Sequence, residues 1–515
     1  MVLDYIYKPL KVSDRRGIQL KELSIGKGAA YIFLERAIGL LSGFLLWIGL
    51  TRIATPDIIG TASAVVSLAT IFTIVATMGI PVGVSRFLAK SFHDNNLEEA
   101  SVFVKASLIF VSLGILGSIA ILVIIKDWVS VSLGLDLLIS SMILIASGSI
   151  SFLIHSIVLA TLKTKILPIV MAFAASTRII VVVVLVLMNT GALGILMGYA
   201  SFEILTAILL AITIHRIFRS RHGTTGNIKL NYPFRSILSA SIPSLIPRLV
   251  TALGGSSLGT IVVFGFNGAS QAASYFLANA IFSAVSTISA PLFTIAYPAL
   301  SAMGDGRKRF AWRILKISMI LSLPLSSSVF FYSSDLIRLL GHDYIEASLF
   351  LKIFMITILP NSVNLMVSQL VYAYGNYRQV LVLGLASSIP RTLLYFLLVP
   401  SFGGMGAAIS FLIGSIIGFV VSIIVSKKIG MMIHWKSLGL ITAISFLPAP
   451  ILAYFQINFI VGTISTIGIS FIAFLKFRIL TKSDIEDTVN VLPPRVAMPL
   501  NGIMAKVGRL LNEDY

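Results

Sequence analysis

Long apolar runs follow one another along most of the chain, separated by short polar segments. A membrane-spanning α-helix needs about 20 consecutive apolar residues, because it must cross a hydrocarbon core about 30 Å thick. Windows of that length predict fourteen transmembrane helices in this sequence. The predicted spans lie near residues 29–50, 58–80, 100–124, 136–159, 166–188, 194–214, 237–263, 271–298, 310–332, 348–373, 379–399, 405–426, 437–455 and 459–477.

Composition agrees with an all-α polytopic membrane protein. Of the 515 residues, 57% are hydrophobic and only 11% are charged, whereas soluble domains contain about 25% charged residues. The chain has no cysteine, so disulfides and thiolate metal sites are excluded, and its six histidines show no metal-ligand spacing. No HExxH, GxxxxGK[ST] or GxSxG motif occurs, so we expect neither an enzyme nor a cofactor.

The basic residues are distributed very unevenly between the two sides of the predicted spans. If both termini are cytoplasmic, 30 of the 39 lysines and arginines fall in cytoplasmic segments. The external loops contain only Arg52, Lys126 and Arg338. This positive-inside bias predicts an even number of spans with both termini cytoplasmic. It also accounts for most of the net charge of +19, so no nucleic-acid partner is needed to explain that charge; anionic lipid headgroups are the expected neighbours.

Charged and glycine residues inside the apolar runs recur at one spacing. Arg36 and Gly43 are each 212 positions before Arg248 and Gly255. The same or nearly the same offset separates Gly191 from Gly403, Gly194 from Gly406, Lys165 from Arg378, and Arg178 from Arg391. A coherent offset over about 160 positions indicates an internal repeat of six helices. Because six is even, both repeats enter the membrane in the same direction, as in a parallel repeat.

The repeat and the polar segments together predict the domain organisation. We expect two six-helix lobes followed by two additional helices. The predicted segments are a cytoplasmic N-terminal arm at 1–27, an N-lobe at 28–214, a cytoplasmic linker at 215–236, a C-lobe at 237–430, two further helices within 431–478, and a cytoplasmic amphipathic tail at 479–515. Pro243, Pro247, Gly254 and Gly255 are expected to kink or break the seventh span.

Three stretches carry a resemblance to a known family. They read LTRIATPDIIGTASAVVSLATIFTIVATMGIPVGVSRFLAK, SSDLIRLLGHDYIEASLFLKIF and YAYGNYRQVLVLGLASSIPRTLLYFLLVPSFGGMGAAIS. Their pattern resembles the polysaccharide-transporter branch of the MOP flippase superfamily, which includes the Wzx-type O-antigen flippases. The resemblance covers roughly 25–430 and lies in a diffuse pattern rather than in a short motif.

The resemblance implies a MATE/MurJ-like fold and a flippase of the cell (plasma) membrane. The expected cargo is an oligosaccharide linked to a polyprenyl or dolichyl phosphate or pyrophosphate, moved from the cytoplasmic to the external leaflet by alternating access. Glycosyltransferases and a polymerase or oligosaccharyltransferase would then be functional partners, and H⁺ or Na⁺ a possible coupling ion. The alternatives are a MurJ-like peptidoglycan-precursor flippase, a MATE-type cation or drug antiporter, a major-facilitator transporter, and a polymerase or ligase acting on lipid-linked glycans.

Four arginines lie well inside predicted spans, namely Arg36, Arg178, Arg248 and Arg391. Charged residues at this depth are costly and usually functional. A guanidinium suits a phosphate because it presents a fixed fork of donors and stays charged. We therefore predict that these arginines bind an anionic substrate. The structural alternative is that carboxylates or helix carbonyls neutralise them.

Only two acidic residues, Glu35 and Glu203, lie clearly inside the predicted spans. Adjacent helical residues point about 100° apart, so Glu35 and Arg36 cannot face the same way. We expect Glu35 to pair with another helix, for example through an arginine, or to take part in ion coupling, and Glu203 to act likewise. Asn279 in the eighth span is a further candidate, either for binding sugar hydroxyls or for interhelix hydrogen bonding.

Overall fold

The computed structural model describes residues 15–94, 96–125, 134–219 and 234–480. These residues form α-helices without any β-strand. The helices are α1 (Arg15–Leu50), α2 (Pro56–Thr77), α3 (Ile80–His93), α4 (Leu97–Ile125), α5 (Leu135–Ala160), α6 (Ile166–Leu187), α7 (Ala192–Arg219), α8 (Phe234–Leu253), α9 (Ser256–Asn267), α10 (Ala269–Thr287), α11 (Ala290–Ala302), α12 (Arg307–Phe331), α13 (Ser333–Arg338), α14 (Ala347–Ile356), α15 (Ile358–Ala373), α16 (Tyr377–Lys428), α17 (Trp435–Phe446), α18 (Pro448–Tyr454) and α19 (Phe459–Lys476).

Three predicted polar segments fall partly or wholly outside the described residues. Most of the predicted tail, from residue 481, lies outside them, as do residues 1–14 of the predicted arm and 220–233 of the predicted linker. Within the described part, α1 begins at Arg15 and so extends into the segment predicted as an arm. Helices also extend into both ends of the predicted linker, since α7 ends at Arg219 and α8 begins at Phe234.

The described chain contains ten helices that are long and apolar enough to cross a membrane, or twelve if each of two bent pairs is one span. This supports a multi-pass membrane protein but does not confirm the count of fourteen. The difference arises because some predicted spans are interrupted and two are joined. The eighth is divided into α10 and α11, the seventh is bent, and the tenth bends by 43° between α14 and α15. The eleventh and twelfth form the single helix α16.

Glycines account for two of the breaks that shape the bundle. The seventh predicted span ends as α8 at Leu253 and resumes as α9 at Ser256, so the chain breaks at Gly254–Gly255 as expected. The eleventh and twelfth predicted spans form one element, α16, which changes direction at Gly403. Gly403 has φ 55° and ψ −139°, a conformation that a residue with a Cβ atom rarely adopts.

The helices of the second half follow those of the first half in the same order. Helices α8 and α9 together correspond to α1, α10 to α2, α11 to α3, α12 to α4, α14 with α15 to α5, and α16 to α6 and α7. Helix α2 begins at Pro56 and α10 at Ala269, which is 213 positions later. The offset of about 212 positions found in the sequence therefore also separates corresponding helices of the structure. We call α1–α7 the first repeat and α8–α16 the second repeat.

The two repeats contact each other directly through α2 and α10. A Cβ atom at Gly60 would overlap the carbonyl oxygen of Ala269, so only glycine permits this approach of the two backbones. The ring of Trp47 on α1 lies 4.6 Å from the ring of Phe276 on α10. These contacts pack α1 and α2 of the first repeat against α10 of the second repeat.

Candidate functional site

A cavity of about 870 Å³ lies between the first repeat and the start of the second. Helices α1, α2, α5, α6 and α7 of the first repeat and α8 with the beginning of α9 from the second contribute its lining residues. This volume falls in the range of small-molecule sites, about 300–1,000 Å³. Its polar and charged lining residues are Glu35, Arg36, Thr70, Thr73, Thr77, Ser151, His155, Tyr199, Glu203, Thr206, Arg248, Thr251, Ser256 and Ser257.

The lining residues recur at helical spacing because each helix turns one face toward the cavity. On α2 they include Thr70, Thr73 and Thr77, at i, i+3 and i+7. Positions with that spacing lie on one side of a helix. The hydroxyl of Thr70 donates to the carbonyl of Val66, and that of Thr77 to the carbonyl of Thr73. Helix α2 therefore presents a stripe of hydroxyl oxygens that still have lone pairs for a ligand.

Arg36 and Arg248 come from the first helix of each repeat and line the same cavity. Arg36 is exposed and Arg248 is half-buried. The guanidinium carbon of Arg248 lies 5.0 Å from the centre of the Phe152 ring on α5, which places it over an aromatic face. Across the described ranges, neither arginine forms an ion pair with a carboxylate. The cavity therefore contains two cations from different repeats.

Glu35 is bonded to a histidine and not to an arginine. Its Oε1 atom lies 2.6 Å from Nε2 of His155 on α5, and both side chains line the cavity. Glu35 is buried, while His155 is partly exposed. The residue bonded to Glu35 on another helix is therefore His155, and Glu35 and Arg36 line the same cavity although adjacent helical residues point about 100° apart. Sequence analysis missed this residue, although a stripe of small and polar positions on α5, formed by Gly148, Ser151 and His155, is a signal that could have indicated it.

Glu203 lies on α7, on the same cavity-facing side as Tyr199, Phe202 and Thr206. Ser151 and His155 on α5 line the same cavity and are neighbours of its carboxyl group. No ion pair to Glu203 occurs within the described part of the chain. Both acidic candidates are therefore at the cavity, in different surroundings.

Arg178 and Arg391 are buried outside the cavity lining, where they hold helices together. Nη2 of Arg178 on α6 donates to the hydroxyl of Ser42 on α1, at 3.0 Å. Nη1 of Arg391 on α16 donates to the carbonyl of Gly254 at the end of α8, at 2.9 Å. Its Nη2 donates to the hydroxyl of Ser415, also at 2.9 Å. The structural alternative considered for these two arginines thus describes their observed contacts.

The contacts of these two arginines occur at equivalent positions in the two repeats. Ser42 and Gly254 are 212 positions apart, so both guanidiniums reach the equivalent point on the first helix of their repeat. Each also lies over an aromatic ring, 5.0 Å from the centre of Tyr199 for Arg178 and 3.8 Å from that of Phe411 for Arg391. Tyr199 and Phe411 are again 212 positions apart. The two repeats therefore share this arginine contact between helices as well as the order of their helices.

Asn279 lies on α10, where it is partly exposed, and the structure does not bring it to the cavity lining. Within the described ranges, no group of three His, Asp or Glu side chains comes together as a metal site. The cavity combines two guanidiniums, a Glu–His pair, one further carboxylate, a stripe of hydroxyls and several aromatic rings, in a volume typical of small-molecule sites.

Comparison with known proteins identifies the family. The sequence model described as "Polysaccharide biosynthesis protein" matches residues 25–303, more than half of the chain, and the whole cavity lining falls inside that range. A search of curated protein sequences found no match.

Solved structures with a similar fold include a lipid II flippase MurJ in an inward closed conformation. Its TM-score is 0.67 at 17% sequence identity, and the match covers 88% of this chain and 98% of the MurJ chain. An inward-facing multidrug resistance MATE family transporter of the MOP superfamily has a TM-score of 0.55 at 13% sequence identity. The match covers 76% of this chain and 100% of the transporter chain. A mutant form of the Vibrio cholerae MATE transporter VcmN has a TM-score of 0.56 at 13% sequence identity. The match covers 79% of this chain and 97% of the VcmN chain.

These identities establish the fold alone, and the family model establishes membership. Flippases and transporters make up these neighbours, and the chain shares their all-helical architecture. The chain is therefore a member of the polysaccharide biosynthesis protein family.

Proposed function

We propose that this protein moves a lipid-linked oligosaccharide from the cytoplasmic to the external leaflet of the plasma membrane by alternating access. The observation that carries the proposal is the presence of Arg36 and Arg248, one from each repeat, in a single cavity without carboxylate partners in the described chain. Two such cations in a partly desolvated cavity favour an anionic ligand, because their attraction for it is screened less than in water.

The cargo's phosphate or pyrophosphate would bind between the two arginines. A guanidinium donates two parallel hydrogen bonds to a phosphate, and two arginines in one cavity would together bind one pyrophosphate. The sugars would occupy the remaining cavity, where the threonine stripe of α2 and the α7 face offer hydrogen bonds. The polyprenyl chain would stay in the lipid, since burying its carbons in the bilayer is favourable by about 0.8 kcal/mol per CH₂.

Charge also favours the proposed direction. Moving one negative charge outward across an inside-negative potential of 100 mV is favourable by about 2.3 kcal/mol. With both termini cytoplasmic, as the positive-inside bias predicts, the cavity would receive the cargo from glycosyltransferases inside. It would release the cargo to a polymerase or oligosaccharyltransferase outside.

The two runner-up functions use the same fold with different cavity chemistry. A MATE-type antiporter for cations or drugs needs carboxylates that are free to attract a cation. Here Glu35 is bonded to His155, and against the one remaining cavity carboxylate, Glu203, stand two arginines that lack carboxylate partners in the described chain, so the unpaired charge of the cavity is positive on balance. A MurJ-like flippase for peptidoglycan precursor would share the phosphate site and differ in the glycan. The proposal of a polysaccharide precursor rests on the family match.

Transport by the purified protein tests the proposal. In vesicles that contain a polyprenyl diphosphate bearing one N-acetylglucosamine, we expect the protein to make the inner-leaflet sugar accessible to an added glycosyltransferase that cannot cross the bilayer. Vesicles without protein are the control, because spontaneous crossing of a charged headgroup is slow. Failure to expose the inner pool, together with uptake of an organic cation by the same vesicles, would favour the antiporter.

We further propose that protonation of the Glu35–His155 pair couples transport to a proton gradient. The pair lies in the cavity with Glu203 and Arg36 as charged neighbours. One pH unit corresponds to about 1.4 kcal/mol per proton, so one coupled proton would shift the steady-state distribution of cargo by up to about tenfold per pH unit. Glu35→Gln is expected to abolish this shift, whereas Glu98→Gln, an exposed position on α4, should retain it. An equal shift in Glu35→Gln and the unmodified protein would exclude Glu35 as a coupling group.

A further inference from the structure

The cavity has a second chemically distinct wall, on α7. Tyr199, Phe202, Glu203 and Thr206 line the cavity from this helix, at i, i+3, i+4 and i+7. Two aromatic rings, a carboxylate and a hydroxyl on one helical face are unusual in a membrane helix, where polar groups are expensive unless they are used. The arginines that we assign to the phosphate are on α1 and α8, so this wall is free for another part of the cargo.

The aromatic rings on α7 are held by a neighbouring cation. The guanidinium carbon of Arg178 lies 5.0 Å from the centre of the Tyr199 ring and 4.7 Å from that of the Phe202 ring. These cation–π contacts fix both rings, while both residues also line the cavity. A rigid aromatic surface suits the apolar C–H face of a pyranose ring, which packs on it with little loss of side-chain entropy.

The polar groups on this wall suit sugar hydroxyls. Glu203 forms no ion pair within the described residues, so its carboxylate oxygens can accept hydrogen bonds from a ligand. The hydroxyl of Thr206 is buried and has no hydrogen-bond partner among the described residues. A hydroxyl or amide group of a sugar would supply the missing hydrogen-bond partner.

The α7 wall and the arginine site adjoin each other through α5. Arg248 lies over the ring of Phe152, and the preceding residue, Ser151, is a neighbour of Glu203. Ser151 and Phe152 are consecutive residues of α5 and both line the cavity, so the two sites share this helix. A sugar on the α7 wall would therefore be the one attached to the phosphate, not one further along the glycan.

We propose that Tyr199, Phe202 and Glu203 on α7, with Ser151 on α5, form a subsite for an uncharged sugar joined directly to the phosphate held by Arg36 and Arg248. This inference rests on the proposed function, because it presupposes a phosphate at the two arginines. The carboxylate of Glu203 accepts bonds from hydroxyl or N-acetyl groups and repels a sugar carboxylate. The subsite thus selects a neutral hexose or N-acetylhexosamine over a hexuronic acid.

Three probes that differ only in their sugar test the subsite. They are farnesyl diphosphate, the same lipid bearing N-acetylglucosamine, and the same lipid bearing glucuronic acid, each titrated into the purified protein. We expect the N-acetylglucosamine probe to bind about tenfold more tightly than either of the others, corresponding to about 1.4 kcal/mol. In Glu203→Gln and in Phe202→Leu, the ratio of the dissociation constants is expected to fall toward one. Glu98→Gln, with the same chemical change outside the cavity, should preserve the unmodified ratio.

The outcomes separate the subsite from the function on which it depends. If farnesyl diphosphate itself does not bind the unmodified protein, the phosphate site and the proposed function are both wrong. If it binds, but the unmodified protein holds all three probes equally or prefers the glucuronic acid, the subsite is overturned while the phosphate site stands. The second result needs no variant, so it remains decisive even if a substitution prevents folding.

Discussion

Replacing Arg248 with alanine is expected to abolish glycan export while leaving membrane insertion intact. The side chain is half-buried in the cavity and packs over Phe152, and no carboxylate in the described chain depends on it. Its loss therefore leaves no buried partner charge behind. Hydrogen bonds to charged groups contribute about 1.5–3 kcal/mol each, so losing a bidentate contact should reduce binding of a phosphate headgroup by roughly 100-fold or more. Surface glycan should disappear, and lipid-linked precursor should accumulate in the cytoplasmic leaflet.

Two companion variants make the Arg248 experiment specific. Arg248→Lys retains the positive charge but not the planar fork, so export should recover only partly. Arg86→Ala removes an exposed arginine of α3 outside the cavity and should leave export unchanged. Normal surface glycan in both Arg36→Ala and Arg248→Ala, at normal membrane levels of each variant, would refute the assignment of the phosphate site.

Replacing Arg391 with alanine is expected to destabilise the fold by about 2–4 kcal/mol. The side chain is buried, donates to the carbonyl of Gly254 and the hydroxyl of Ser415, and lies over Phe411. Its removal leaves a carbonyl without its partner at the break between α8 and α9 and opens a void. Thermal unfolding of the purified protein in detergent measures the loss, which should appear as a lower unfolding temperature.

The repeat supplies a matched comparison for Arg391. Arg178 occupies the equivalent position, but its hydrogen bond goes to a side-chain hydroxyl, that of Ser42, which also donates to the carbonyl of Gly39. Because α1 is continuous there, no helix-end carbonyl is orphaned, and Arg178→Ala should cost less than Arg391→Ala. An equal or larger loss for Arg178→Ala would show that the bond to Gly254 is not what makes Arg391 important.

Much of the architecture follows from local pattern. Apolar runs long enough to cross a bilayer identify most helices, because lipid offers no partners for an unpaired backbone. The recurrence at 212 positions indicated the six-helix repeat, whose element order the structure shows. The positions at which helices are interrupted were harder to predict than the helices themselves. Helix α10 ends at Thr287 and α11 begins at Ala290, yet the apolar pattern there predicted one uninterrupted span over 271–298.

The candidate site was only partly accessible from the sequence. Charge at bilayer depth singled out Arg36, Arg248, Glu35 and Glu203, and all four line the cavity. His155 was missed because its partner Glu35 is 120 positions away and a single histidine carries no pattern. The aromatic members of the α7 wall were missed because a tyrosine or phenylalanine in an apolar run does not distinguish a cavity from a packed interface.

The sequence alone does not show which of the four arginines face the cavity. Arg36, Arg178, Arg248 and Arg391 look alike in sequence, since each is a lone cation in an apolar run. In a membrane both the lipid-facing and the packed sides of a helix are apolar, so hydropathy reports depth and length but not the direction of a side chain. That direction comes from helix rotation against neighbours distant in the chain, which places two arginines in the cavity and buries the other two against α1 and α8.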